Sequence, residues 1–212
     1  MSFLQVIRKP FRHTHGNAAL VIIGVNVFVF ALTSFVDQAL VYLALIPAAV
    51  VGEGWVWQPF TYMFAHANLE HLFFNMLGLL FFGTAVERSM GSREFTLFYL
   101  LTGTLAGLFS FAVYAVSGAW GVSLLGASGA VYAVLLAFAI INPRARIFIW
   151  GILPVPAPLL VAGYTVIELG SQFLRPGSGV AHLTHLAGFA FAGLYFVVRF
   201  GVNPVRRLVK GS

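Results

Sequence analysis

Three small groups of polar residues lie in an otherwise apolar chain, and between them they hold the parts of a nucleophilic hydrolase. The first is the run Gly126-Ala127-Ser128-Gly129-Ala130-Val131-Tyr132, within a stretch that carries no charge from Phe95 to Asn142. Glycines on both sides of the serine permit a tight turn and close backbone approach. A serine opening a helix lies beside free backbone N–H groups and the positive end of the helix dipole, a good place to build up an oxyanion. Alone, a Gly-x-Ser-Gly run reads as an N-cap or a small packing residue. The second group is His66, His71 and Asn75, with His71 and Asn75 four apart and therefore on one helical face. The third is His182 and His185, followed by Gly188 and Ala192. A serine needs a general base, and histidine suits near neutral pH, so His185 or His182 can serve. Asn75 and His71 can donate to an oxyanion beside the Ser128 N–H. Tyr132, one turn beyond Ser128, can hold an imidazole by stacking.

The elements that must position these groups are membrane helices. The chain of 212 residues is 60% hydrophobic and only 8% charged, with a mean hydropathy of +0.93. That composition fits a polytopic all-α membrane protein, and the continuous apolar runs exclude the alternating pattern of a β-barrel. There is no cysteine, hence no disulfide, thiolate nucleophile or cysteine metal site. Six spans are predicted in a compact bundle: 18–36, 70–86, 94–116, a fourth ending at Asn142-Pro143, a fifth ending near Leu174, and 180–198. The domain division is a basic N-terminal segment (1–17), a membrane domain (18–198) and a basic tail (199–212). The first run resembles a secretory leader, but it is long and lacks a small-residue cleavage site, so it reads as a retained span. Residues 37–69, rich in Trp55, Trp57 and Tyr62, suit a loop in the headgroup layer. Residues 87–93 are a link, 175–179 are a turn, and Pro154, Pro156 and Pro158 disturb the start of the fifth span.

Six spans place both termini on one side. Of twelve Lys and Arg residues, eleven share that side and Arg175 alone falls on the other. This positive-inside asymmetry predicts cytoplasmic termini, and it explains a pI near 10.1 by topology and anionic lipid rather than by nucleic acid. The three polar groups then fall toward the non-cytoplasmic ends of the even-numbered spans, at similar depth. If the fourth helix starts near Ser128 and ends at the cytoplasmic face, Ser128 lies roughly 10 Å below the outer surface. Gly188 and Ala192 form a small-residue face that lets the sixth span approach the fourth closely, which would bring His185 to Ser128.

Taken together, these motifs resemble those of the rhomboid intramembrane serine proteases, in the minimal six-span bacterial type. The resemblance rests on 66–75, on 126–132, on 181–188 and on the stretch 83–92, and it covers residues 55–193. It implies Ser128 as nucleophile and His185 as base, a dyad without an aspartate. It implies His71, Asn75 and the Ser128 N–H as oxyanion donors, Tyr132 stacked on His185, structural roles for Gly126, Gly129 and Gly188, and a loop-tying role for Glu87. Transmembrane proteins would be the substrates, no cofactor or metal would be needed, and the site would sit in a bacterial plasma membrane. Two positions depart from the family pattern: Gln58 follows Trp57 where arginine is common, and Ala192 stands where a second glycine is common.

Rival readings are a non-proteolytic relative that binds membrane clients, a membrane metal protein and a transporter. The first is a form that has lost the serine or histidine, and both are present here. The second lacks H-E-x-x-H and H-x-x-H-H motifs. The third lacks repeats and, Glu168 apart, intramembrane charge. Glu168 is assigned no role: it either faces water near the outer end or bonds within the bundle. His182 reads as a loop or packing residue, and His13 and His15 as interfacial polar residues.

Overall fold

The computed structural model describes residues 3–9, 11–36, 38–149, 151–174 and 179–210. The predicted turn at 175–179 therefore lies almost wholly outside the described residues, and so does Arg175. After a short α1 (Phe3–Ile7), the first long helix is α2 (Ala18–Phe35). Its free N-terminus is capped from a distance: the Glu87 carboxylate accepts from the Ala18 and Ala19 N–H groups at 2.8 and 2.9 Å and from the Ser92 hydroxyl at 2.6 Å. Three short helices follow, α3 (Ala39–Leu43), α4 (Pro47–Gly52) and α5 (Gln58–Thr61), the last running into a 3₁₀ turn at Tyr62–Phe64. Gln58 is fully buried among them. Its carbonyl accepts from the Ile46 N–H at 2.9 Å and its amide donates to the Val41 and Tyr42 carbonyls at 3.1 and 3.4 Å. The loop's bonding is thus supplied by glutamine.

The second long stretch comprises α6 (Leu69–Gly78), a π-helical turn (Leu79–Gly83) and α7 (Thr84–Met90). The expected link at 87–93 shrinks to one residue, Gly91, whose φ of +86° breaks the helix. Next come α8 (Ser92–Val116) and, after a non-helical approach, α9 (Ser128–Ile141). That approach is pinned by the first loop: Leu45 and Leu124 exchange backbone hydrogen bonds at 2.8 and 2.9 Å, and the Gly126 N–H donates to the Tyr62 carbonyl at 3.0 Å. With 14 residues, α9 is about 21 Å long, shorter than a bilayer's hydrocarbon core. Nine of those residues are buried, so α9 is the central element.

The three prolines do not disturb a helix. Pro154 and Pro156 belong to an antiparallel hairpin, β1 (Arg146–Ile149) with β2 (Leu153–Pro156), and α10 (Ala157–Leu174) starts only afterwards, with Pro158 in its first turn. Proline has no N–H, so it fits an edge strand or a helix's first turn. Finally α11 (Gly179–Tyr195) leads through a π turn (Phe196–Phe200) to α12 (Pro204–Lys210). Among the described residues, four helical stretches are long and apolar enough to cross a membrane: Ala18–Phe35, Leu69–Met90, Ser92–Val116 and His182–Phe200. The short α9 and α10 complete the bundle. The fold is all-α and polytopic apart from the hairpin.

Candidate active site

Close contact between α9 and α11 builds the site. Gly188 on α11 faces Gly129 on α9, and a Cβ on Gly188 would fall deep inside the radius of the Gly129 carbonyl oxygen. On the other side of Gly129, a Cβ would press on Thr184, Ala106 and the Tyr62 hydroxyl at 3.2–3.3 Å. A hydrogen bond of 2.7 Å between Ser110 and Thr184 fixes α8 to α11 at the same level. This backbone contact sets the height of α11, and with it the height of His185.

Ser128 is the first residue of α9, and its Oγ lies 2.8 Å from His185 Nε2. The imidazole of His185 stacks on Tyr132, with ring centroids 4.3 Å apart and planes 14° from parallel. The first intrahelical acceptor of α9 is the Ala127 carbonyl, taken by the Val131 N–H, so the N–H groups of Ser128, Gly129 and Ala130 have no partner within the helix. His71 and Asn75 on α6 line the same cavity as Ser128 and His185. Asn75 donates one amide hydrogen to the His71 carbonyl at 2.8 Å, leaving the second for the cavity. The His71 ring lies against Gly126, whose φ is +119°; a Cβ there would come within 2.7 Å of His71 Nε2. Two constraints on one residue explain that glycine.

Glu168, without a role in the sequence reading, is at the centre. It is buried, at 4% exposure, on α10. Its Oε1 accepts from His185 Nδ1 at 2.9 Å and from the Tyr132 hydroxyl, and its Oε2 accepts from His182 Nδ1. The available signal was a lone carboxylate in an apolar helix, which must find partners inside the bundle. His182 therefore does not face Ser128. The ligand atoms of Glu168, His182 and His185 lie within 4.8 Å of one another, a donor set of the kind that binds divalent metals, but here each histidine is bonded to the carboxylate.

The fourth histidine, His66, is buried just before α6 and packs edge-on against His71, ring centroids 5.1 Å apart. Burial, together with the neighbouring His71, lowers its pKa to about 4, an effect that the nearby Phe64 carbonyl opposes in part. It is a neutral structural wedge at working pH.

The cavity holding Ser128 is about 520 Å³ and apolar apart from this cluster. Phe74, Gly78 and Phe81 of the α6 side, Leu160 and Tyr164 of α10, and Ile147 and Ile149 of β1 line it. A serine aligned with an imidazole, unpaired N–H groups beside it and an apolar trough can carry out acyl transfer on a peptide that enters the trough.

The profile of the Rhomboid domain matches residues 53–201. The chain belongs to the rhomboid family. Similar proteins to this rhomboid include RHOMBOID-like protein 12, mitochondrial, of Arabidopsis thaliana, 34% identical over 151 residues, which are 63% of this chain and 44% of that protein. Rhomboid protease GlpG of Enterobacter sp. (strain 638) is 29% identical over 202 residues, 90% of this chain and 69% of its own length. Rhomboid protease GluP of Bacillus subtilis (strain 168) is 40% identical over 91 residues, 42% of this chain and 18% of its own. This rhomboid thus spans less than half of the plant relative and about two thirds of GlpG.

Proposed function

We propose that this rhomboid is a serine endopeptidase that cleaves transmembrane segments of membrane proteins near their external ends. The observation that carries the reading is the 2.8 Å approach of Ser128 Oγ to His185 Nε2 at the head of an open apolar trough. In this reading His185 takes the hydroxyl proton as Oγ attacks the scissile carbonyl carbon. The oxyanion forms among the Ser128 N–H, Asn75 and His71, where preorganised donors are most effective. His185 then protonates the leaving amine, the peptide C–N bond breaks, and water hydrolyses the acyl-enzyme by the reverse proton path.

A helix shields its own carbonyls, so the substrate must unwind before attack. Entry from the lipid beside α10 suits its sparse packing: Leu159, Val166 and Ile167 are 60% exposed or more, and a Cβ on Gly163 or Gly170 would touch nothing. Glycine near the external end of the substrate span lowers the cost of unwinding, and a small residue before the scissile bond fits the family. The membrane is of the bacterial plasma type, with both termini in the cytoplasm.

The test has two parts. A fluorophosphonate should label Ser128, and Ser128→Ala or His185→Ala should abolish cleavage with the fold intact. Asn75→Ala should slow turnover about 10- to 1000-fold, the range for one oxyanion donor. A single-span protein with Gly-Ala near its external end should be cut there, and the same span rebuilt from leucine should be spared. Cleavage by the Ser128→Ala protein, or equal cleavage of the two spans, would overturn the reading.

A further inference from the structure

We infer that Glu168 is the positioning carboxylate of His185, so that the base works in a Ser128–His185–Glu168 chain rather than a two-residue dyad. The inference rests on the Ser128–His185 reading above. Its ground is geometry. An ionised carboxylate only accepts hydrogen bonds. Glu168 Oε1, at 2.9 Å from His185 Nδ1, therefore requires the proton of the neutral imidazole to sit on Nδ1. That leaves the Nε2 lone pair facing Ser128 Oγ at 2.8 Å, the one tautomer able to receive the hydroxyl proton. Stacking on Tyr132 holds the plane of the ring, but a ring face cannot choose between tautomers or stop rotation within the plane. Glu168 does both. It also bonds the Tyr132 hydroxyl, so the stacking ring and the imidazole share one anchor.

Charge points the same way. A carboxylate buried in a helical bundle is costly unless it is bonded. Here three donors satisfy it, and each belongs to a side chain of the site: Tyr132 from α9, and His182 and His185 from α11. When His185 gains the serine proton, the new cation sits against an anion already in place, which favours the charged intermediate. The other titratable groups facing this pair are His71 from α6, across the cavity, and Tyr164 from α10, edge-on to Tyr132. Neither bonds His185 Nδ1. The role of His182 follows from the same geometry: it bonds the other oxygen of Glu168 and not the serine, so it steadies the carboxylate.

Glu168→Gln tests this in the purified full-length protein. Turnover of the Gly-Ala span should fall about 10²- to 10⁴-fold, the scale set when an amide replaces such a carboxylate in a serine hydrolase. KM should stay within a few-fold, and the thermal midpoint should stay close to wild type. A purely structural glutamate would lower the midpoint and leave turnover of the folded protein near wild type. Nitrogen NMR of wild-type protein labelled at histidine, with His185→Ala as the assignment control, gives a readout independent of the variant's folding and should find His185 protonated at Nδ1. Wild-type turnover in Glu168→Gln, or a His185 protonated at Nε2, would overturn the inference. Failure of the wild type to label with fluorophosphonate would instead overturn the Ser128–His185 reading on which it rests.

Discussion

Gly188 and Gly163 are both helical glycines, and their surroundings predict opposite outcomes on substitution by alanine. At Gly188 the new methyl meets the Gly129 carbonyl, so Gly188→Ala must push α11 off α9. Overpacking of this kind costs about 1–3 kcal/mol. A shift of about 1 Å between base and nucleophile costs on the order of 10²-fold in rate. At Gly163 nothing lies within 4 Å, and Gly163→Ala should stabilise α10 by up to about 1 kcal/mol with activity retained. Thermal unfolding and cleavage assays on the two proteins check both. His66 yields a pH prediction. Its folded pKa of about 4 lies below the usual 6.5, so the unfolded chain takes up a proton that the folded chain refuses. Stability is therefore fully present above about pH 6.5 and declines as pH falls toward 4, by about 3 kcal/mol in all. The drop in thermal midpoint from pH 7 to pH 5 should be smaller in His66→Phe than in wild type; equal drops would refute the assignment. At this scale the sequence told which side chains are out of place in an apolar chain, including Ser128, His185 and Glu168. It could not assign Glu168, because one carboxylate in a helix has no motif, and its partners arrive from helices 36 and 14–17 residues away.

The prolines at 154, 156 and 158 show what spacing hides at the scale of elements. Within an apolar run they read as a damaged helix, yet alternate prolines also suit the outer edge of a hairpin, where no N–H is needed. The register, Ile147 against Val155 and Ile149 against Leu153, leaves Pro154 and Pro156 opposite Phe148 and Arg146. Long helices were easier: α2 and α8 lie within two residues of their predicted bounds, because a run of about 20 apolar residues has few other readings. The looseness of α10 comes from its exposure rather than its prolines. It gives a prediction that uses the absence of native cysteine. Phe81→Cys with Leu160→Cys places one thiol on the α6 side and one on α10, both in the lining of the cavity. A reversible cross-link between them should block cleavage of the membrane span while a small fluorophosphonate still labels Ser128, and releasing the link should restore cleavage. Undiminished cleavage by the cross-linked protein would exclude entry between α6 and α10.

For the whole molecule, charge asymmetry predicts orientation: reporters fused after Arg88 and Arg146 should read cytoplasmic and a reporter at Gly52 external, and an external C-terminus would overturn the arrangement. Composition sufficed for the class of fold because a chain with so few charges can bury its backbone only as helices in lipid. It left open where the central helix begins, at Ser128 or earlier; the Gly- and Ser-rich stretch 117–127 turns instead of coiling, which makes α9 short. The three-way bonding at Glu168 has a mechanical corollary. Its donors stand on α9 and α11, while the carboxylate rides on α10, the helix beside which substrate entry is proposed. Any outward swing of α10 carries the acceptor away from His185, and only its return restores the chain. On the proposed entry route, admission and attack would alternate like the two gates of a canal lock, with Ser128 idle while the door stands open.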